Sequence, residues 1–179
     1  VVFEEVTTYA VTLTSWNLNG SSDITKADFI HAGGYSPYYK ETFEAGSYKS
    51  EDWTIENPDL DITWELFETG GTLPGSRSMG IDFYNYFSFS ERDRLISPPF
   101  NLTVPSSAYL QFEHAYARRH PNLTDSLLVY ISDDCGATWT RIFSGGEDGS
   151  GNFATHEPVD GFWPMVSDDW CMSGWGPPC

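Results

Sequence analysis

Apolar and polar residues alternate along much of this chain with a period of two. In residues 9–16 (YAVTLTSW), Val11 and Leu13 fall on one face, while Thr12 and Thr14 fall on the other. Because successive side chains of a β-strand point to opposite faces, this alternation predicts a strand. Stretches with the 3.6-residue spacing of a helix are almost absent, so we expect an all-β chain.

A turn and a second strand follow this first strand. Residues 17–22 (NLNGSS) have the composition of a turn, and residues 24–30 return as a strand. The beginning of the chain is therefore predicted to form a β-hairpin, which by itself would be marginally stable in water.

Further strand-like segments, each closed by turn residues, recur over the rest of the chain. They are residues 42–46, 53–59, 62–65, 78–86, 92–102, 108–114, 125–132 and 133–139. Strands at such intervals are typical of a β-sandwich or a jelly roll. We therefore predict an antiparallel β-sandwich of the jelly-roll type after the hairpin.

The predicted domain boundary lies in a segment rich in Gly, Pro and Tyr. Residues 33–40 (GGYSPYYK) have the composition of a linker, which separates residues 1–32 from a second module at 41–179. The first residues of the chain read as the middle of a strand, and the last four as the middle of a loop. We therefore expect a piece of a longer protein.

The hairpin sequence carries a family resemblance. The motif TYAVTLTSWNLNGSSDITKADFI, within residues 5–31, resembles the closing half of a PKD domain, an immunoglobulin-like module. Ser15 and Trp16 depart from that pattern, because the family usually has a valine-like pair there. The resemblance implies that residues 1–32 are the last strands of an incomplete Ig-like module.

The second module resembles another family over residues 41–170. Its motifs, in order, are FEAG at 43–46, DRLISPPFNL at 93–102, LQFEHAY at 110–116 and DSLLVYISDDCGATW at 125–139. They are similar to the MAM-like jelly rolls of secreted bacterial proteins, also known as cleaved-adhesin or choice-of-anchor modules. Members usually end with further strands, so this copy is expected to be truncated at its C-terminal end.

The two resemblances together imply a setting and a role. In such proteins this pair of modules often follows a pappalysin-like metalloprotease, outside the cell or at its surface. The expected role is that of a non-catalytic accessory module for spacing, stabilisation or attachment. Its expected partners are the neighbouring domains of the same polypeptide, with surface glycans or proteins as further candidates.

The charge of the chain excludes one class of partner. Nine Lys and Arg face 26 Asp and Glu, which gives a net charge of −17. A surface this acidic repels phosphate backbones, so we expect no nucleic-acid binding. The apolar runs are far shorter than a bilayer requires, so no membrane span is predicted in this fragment.

Calcium is the cofactor that this acidic composition favours, because Ca²⁺ binds carboxylate and carbonyl oxygens. The MAM-like resemblance implies a structural calcium site with Glu44, Asp59 and Asp61 as ligands. Asp133, Asp134 and the pair Glu147–Asp148 are weaker candidates. Such an ion would hold loops together and would not take part in a reaction; no other cofactor is predicted.

The three cysteines are Cys135, Cys171 and Cys179, and they lack the paired spacing of a zinc site. Any two of them could form a disulfide in an oxidising compartment, and the sequence leaves the pairing open.

The chain shows no catalytic motif. None of the four histidines lies in a His-Glu-x-x-His motif, no strand carries alternating acids in a glycosidase pattern, and the Gly-x-Ser-x-Gly nucleophile motif is absent. We therefore predict no catalytic residues and expect that the fragment is not an enzyme. The adjacent Arg118 and Arg119 could hold carboxylates across the sheet or contact an anionic partner, and we favour the first.

Aromatic residues support an alternative of a different class. Tyr84, Tyr86 and Trp163 are candidates for a ligand-binding surface that stacks against sugars. If residues 78–86 form a strand, however, one of its two aromatic faces belongs to the core. The alternatives to a spacing or attachment module are therefore a carbohydrate- or protein-binding adhesin domain and a non-catalytic region of a secreted metalloprotease.

Overall fold

The structure, a computed structural model, describes residues 5, 7–71, 75–103, 105–146 and 153–171. Within these ranges the chain is all-β, as the sequence predicts, with one 3₁₀ turn at Ser167–Asp169. The strands pair two by two, always antiparallel, into four small sheets. No helix in these ranges has the length and apolar composition needed to cross a bilayer.

The eight described strands have the following bounds. They are β1 Thr8–Asn17, β2 Gly20–His31, β3 Thr54–Glu56, β4 Glu65–Glu68, β5 Arg77–Gly80, β6 Arg94–Ile96, β7 Ser126–Ile131 and β8 Thr140–Gly146. The sheets are β1–β2, β3–β6, β4–β5 and β7–β8.

The chain divides into two compact units. The first, called the hairpin unit here, comprises Val1–Lys40 and Ser97–Ala108. The second, called the main unit, comprises Glu41–Ile96 and Tyr109–Cys179.

The hairpin unit contains the predicted hairpin, with longer strands and a tighter turn than the sequence indicated. Asn17 pairs directly with Gly20, so only two residues connect β1 to β2. The side-chain oxygen of Asn17 accepts the backbone N–H of Asn19 at 2.7 Å, which closes the turn locally. Gly20 has φ of 139°, a conformation that L side chains rarely adopt.

The segment after β6 returns to the base of this hairpin. Tyr35 donates its backbone N–H to the carbonyl of Pro99 at 2.7 Å and accepts from the N–H of Asn101 at 2.8 Å. Its ring stacks on His31 with centroids 4.1 Å apart. A Cβ at Gly34 would lie 2.7 Å from the Pro99 oxygen, so this close approach requires glycine. These contacts explain why residues 97–108 belong to the hairpin unit.

The strands of the main unit are short. At β3–β6, Ile55 pairs with Leu95, and an exposed ion pair of 2.7 Å joins Glu56 to Arg94. The β4–β5 and β7–β8 pairs are hairpin-like ladders of four and six registered residue pairs. Such small sheets need support from side chains between them.

Buried residues of the main unit gather where residues 112–117 approach 153–171. Tyr116, Ala154 and Trp170 are the buried apolar residues among those described. Thr155 connects two segments there, because its hydroxyl donates to the Asp169 carbonyl at 2.7 Å and accepts the Tyr116 N–H at 3.0 Å. The described core is therefore small and rich in hydrogen bonds.

Several predicted strands are shorter than the sequence indicated or absent. Residues 42–46 contain no strand, residues 53–59 and 92–102 retain only β3 and β6, and residues 133–139 form the loop between β7 and β8. In residues 78–86, β5 ends at Gly80, and a turn follows in which the Asp82 carboxylate accepts the side-chain amide of Asn85 at 2.7 Å. Such local side-chain bonds compete with a strand ladder. In residues 108–114, the described pairing is one bridge between His114 and Cys171. Conversely, β8 had no counterpart among the predicted strands.

Candidate functional site

Glu44, a predicted calcium ligand, caps the chain just before β5. Its carboxylate accepts the backbone N–H groups of Ser76 at 2.7 Å and Arg77 at 3.0 Å, and the hydroxyl of Ser76 as well. The hydrogen bond from the Ser76 hydroxyl is the main cause that holds the pKa of Glu44 below its ordinary value. Glu44 therefore connects residues 32 positions apart in the chain.

Asp59 and Asp61, the other two predicted ligands, lie side by side in the turn before β4. The Asp61 N–H donates to the Asp59 carboxylate at 3.2 Å, and the Asp61 carboxylate accepts the N–H of Ile62 at 2.9 Å. The side-chain amide of Asn57 donates to the Asp61 carbonyl at 2.7 Å. The structure thus brings two of the three predicted ligands together, while Glu44 is bonded elsewhere.

A calcium site in this region would need further oxygen ligands. Asn57 Oδ1 and Asp93 Oδ1 are buried atoms without a hydrogen-bond partner, and both are oxygens of the kind that Ca²⁺ binds. Among the described residues, no three His, Cys, Asp or Glu side chains gather in a metal-binding arrangement. The candidates Glu147 and Asp148 lie outside the described residues.

Tyr86 lies between two carboxylates. Its hydroxyl is 2.7 Å from Asp59 Oδ2 and 3.2 Å from Asp93 Oδ2, and the indole N–H of Trp64 donates to the Asp93 carbonyl at 3.2 Å. Desolvation, followed by the hydrogen bond to Asp59, raises the pKa of Tyr86 well above its ordinary value. The phenol is therefore a neutral donor that fixes the turn containing Asp59.

Tyr84 is covered on one face by a cation. The Arg119 guanidinium lies 4.5 Å from the centre of the Tyr84 ring, and Arg119 Nε is 3.1 Å from an Asp160 oxygen. This ion pair is what the sequence predicts for Arg119. The Tyr84 ring therefore has a partner within the main unit.

Trp163 attaches its own segment to β4. Its indole N–H donates to the Glu68 carbonyl at 2.7 Å, and its ring packs edge-on against Phe67 with centroids 4.8 Å apart. The indole N–H of Trp170 donates to the Gly70 carbonyl, also at 2.7 Å. Together the two indoles hold residues 163–170 along the end of β4.

The three predicted ligand-binding aromatics therefore have separate neighbours. Tyr86 contacts Asp59 and Asp93, Tyr84 contacts Arg119, and Trp163 contacts Phe67. Within the described part of the chain, no ring contact joins Tyr84, Tyr86 and Trp163 to one another. The strand assumed for residues 78–86 ends at Gly80, so the predicted alternation of aromatic side chains is absent beyond it, in a turn and loop.

Asp134, a weaker calcium candidate, organises the loop between β7 and β8. Its carboxylate accepts the Ser132 hydroxyl at 2.8 Å, and the Thr138 N–H and hydroxyl at 2.8 and 2.6 Å. The bonds from Thr138 are the main cause that lowers the pKa of Asp134 to about 2. Cys135 and Gly136 lie in the left-handed region, with φ of 60° and 86°.

Two further carboxylates accept backbone N–H groups in the same way, although the sequence did not indicate them. One Glu41 oxygen accepts the N–H groups of Thr42 and Phe43 at 2.8 and 2.7 Å. One Asp169 oxygen accepts the N–H groups of Met165 and Val166 at 2.8 and 3.0 Å. We call Glu41, Glu44, Asp134 and Asp169 the capping carboxylates. The signal that could have found them is an acid within a few residues of Ser, Thr or a turn.

Cys171 and the half-buried His114 have structural contacts. Cys171 is disulfide-bonded, Cys135 is an exposed free thiol, and Cys179 lies outside the described residues. His114 stacks on Phe153 with centroids 4.4 Å apart. Desolvation lowers the pKa of His114, so its ring is neutral at physiological pH.

Comparison of the chain with protein-family models, with curated proteins and with solved structures finds no match in any of the three. The capping carboxylates and the indole contacts therefore carry the functional argument.

Proposed function

We propose that this chain is a non-catalytic accessory module of a secreted or cell-surface multidomain protein. In this role it spaces, stabilises or attaches neighbouring regions of the same polypeptide. The observation that carries the proposal is the use of acidic side chains: the capping carboxylates each bind donors of the loop or segment that they organise.

A carboxylate used in this way is poorly suited to proton transfer. Hydrogen bonds lower the pKa of Glu44 and of Asp134, so both stay ionised at neutral pH and their oxygens already have donors. A general acid or base works best with a pKa near the operating pH and a free approach to substrate. The physical logic therefore favours a scaffold over an enzyme.

The setting of the proposal rests on the resemblances in the sequence. PKD-like and MAM-like motifs are typical of secreted bacterial proteins whose catalytic region lies elsewhere in the polypeptide. The net charge of −17 suits a protein that stays soluble outside the cell. The proposed localisation is extracellular or at the cell surface.

Two assays test this role. The purified fragment is expected to leave casein intact with or without a chelator, whereas hydrolysis abolished by chelator would assign it to the proteolytic region.

In the full-length parent, replacing residues 41–179 by a flexible Gly/Ser linker is expected to reduce retention on the cell surface. Full retention after this replacement, measured by fractionation, would contradict a role in attachment.

A structural calcium ion at Asp59 and Asp61 belongs to the same proposal. Asn57 is bonded to Asp61, and the Tyr86 hydroxyl lies between Asp59 and Asp93; Asn57 and Asp93 each have one buried unpaired oxygen. An ion that binds only the folded state raises its stability. Millimolar CaCl₂ is expected to raise the melting temperature, and Asp59→Asn with Asp61→Asn is expected to abolish that rise. Asp23→Asn, in the hairpin unit and outside the predicted ligands, serves as the control. An equal rise in the double variant would exclude this site.

An adhesin domain is the second candidate function, favoured by exposed aromatic side chains in loops of the main unit. Phe87, Phe89 and Tyr109 are 72%, 79% and 93% exposed. Binding of the chain to immobilised glycans, lost on replacing Phe87, Phe89 or Tyr109 by alanine, would favour this candidate.

A further inference from the structure

The tip of the β1–β2 hairpin carries a shallow depression of about 320 Å³. Trp16 is the one large aromatic side chain in its lining, and the remaining side chains are Ser15, Asn17, Asn19, Ser21 and Ser22. All of them are uncharged, although the chain carries a net charge of −17. The volume is at the small end of the range for ligand pockets.

Trp16 is unusually exposed. At 77% exposure, it is the most exposed of the six tryptophans that the structure describes. Trp64, Trp163 and Trp170 donate their indole N–H to backbone carbonyls. Among the described residues, Trp16 has no such bond, so packing within the hairpin unit does not account for its ring. Tryptophan is enriched at interfaces, because its ring offers a large apolar face and its N–H a hydrogen-bond donor.

The hairpin orders the backbone that carries this ring. Trp16 pairs with Ser21 and Asn17 with Gly20, so the backbone ladder extends to the last residue before the turn. A Cβ at Gly20 would meet no atom within 4 Å, which shows that the space beside the turn is open. A ligand on the indole would therefore meet an accessible ring on an ordered turn, bordered by polar groups.

The chemistry of the lining points to one ligand class. The C–H face of a pyranose ring is apolar and slightly electropositive, and it stacks well on the electron-rich face of an indole. Serine hydroxyls and asparagine amides supply uncharged donors and acceptors for sugar hydroxyls. We propose that the depression at the hairpin tip binds a neutral saccharide, with Trp16 as the stacking residue.

Other ligand classes fit less well. A polyanion is repelled by the charge of the chain, and a cationic ligand finds no carboxylate in the lining. An apolar protein partner would use Leu18, which is fully exposed in the same turn and is absent from the lining. Leu18 therefore provides a matched control for apolar adhesion.

The inference deepens the adhesin alternative and does not depend on the accessory role, because the casein and surface-retention assays do not involve Trp16.

The test is affinity electrophoresis of the whole chain in gels that contain soluble neutral polysaccharides, such as a mixed-linkage β-glucan, a xyloglucan, a mannan and a galactan. At least one polysaccharide is expected to retard the wild type. Trp16→Ala is expected to weaken that binding about tenfold or more, whereas Trp16→Tyr retains most of it and Leu18→Ala all of it. No retardation by any polysaccharide, unchanged binding by Trp16→Ala, or an equal loss in Leu18→Ala would overturn the proposal.

A second measurement keeps the test independent of the alanine variant. The indole N–H resonance of Trp16, assigned by its absence from the spectrum of Trp16→Tyr, is expected to shift on addition of the oligosaccharide fragment of the retarding polymer. The indole resonances of Trp163 and Trp170 are expected to stay in place. A shift of all tryptophan resonances together, or of none, would contradict binding at the hairpin tip.

Discussion

The hairpin unit and the main unit fix their backbones by different means. In the hairpin unit, β1 and β2 pair from Thr8 with His31 to Asn17 with Gly20, and one bulge interrupts the register. Side chains on this ladder are mostly exposed, including Leu13 at 67% and Ile24 at 62%. In the main unit, the strands are three to seven residues long, and side chains bond to the backbone between them.

A segment of this protein can therefore be ordered without burial of its side chains. Where backbone hydrogen bonds supply the order, a side chain such as that of Trp16 is available for contact with a ligand. Where indoles and carboxylates supply the order, as with Trp170 and Asp134, the same side chains are committed to the structure. Substitutions should therefore cost stability in the main unit and affect binding in the hairpin unit.

The largest expected effect compares two tryptophans. Trp170 is 6% exposed and donates to the Gly70 carbonyl, so Trp170→Ala is expected to destabilise the protein by about 3–5 kcal/mol. Trp16→Ala is expected to change stability by less than about 0.5 kcal/mol, because the removed ring is already in water. Urea unfolding followed by far-UV circular dichroism measures both.

Trp170→Phe separates packing from hydrogen bonding. It keeps most of the ring but leaves the Gly70 carbonyl without its donor, which is expected to cost about 1–3 kcal/mol. Equal losses for Trp16→Ala and Trp170→Ala would contradict the distinction between the two units.

The next effect concerns pH. The folded-state pKa of Asp134, about 2, lies below its ordinary value of 3.8. The ionised carboxylate therefore contributes fully above pH 3.8, and its contribution is lost as the pH falls toward 2. Asp134→Asn is expected to lower the melting temperature at pH 7, and the difference from the wild type is expected to shrink at acidic pH.

Asp133→Asn is the matched control, since it removes one charge from the same loop, and the pKa-lowering bonds from Thr138 are made to Asp134. Hydrogen exchange at the Thr138 amide gives a local readout, and exchange there is expected to accelerate in Asp134→Asn alone. The same acceleration in both variants would show that net charge, and not this cap, orders the loop.

The sequence could predict the features that depend on period and turn chemistry. The hairpin, the strand at Ser126–Ile131 and the all-β class follow from alternation between turn residues. Arg119 pairs with Asp160, as expected for a cation in a chain with a large excess of acidic residues. These signals are local, so they are visible without knowledge of the tertiary structure.

The remaining features depend on long-range contacts that alternation does not encode. Glu44 meets Ser76, and Trp170 meets Gly70, across 32 and 100 residues. Trp163 supports β4 through a contact of the same long-range kind, whereas its aromatic side chain alone had suggested a ligand-binding surface. The sequence could not predict the exposure of Trp16 either, because a two-residue period does not tell which face of a strand remains in water.

The smallest effect tests the exposed face of the hairpin. Leu13 and Ile24 are directly opposite each other and both mostly exposed, so Leu13→Ala is expected to cost about 0.2–1 kcal/mol, the range of a cross-strand pair. The double-mutant cycle with Ile24→Ala, measured by thermal unfolding, isolates the pair, and its coupling energy is expected to fall within the same range. A loss of about 2 kcal/mol or more for Leu13→Ala would show that this face is buried in solution. The contrast between an exposed ladder and a side-chain-supported main unit would then no longer hold.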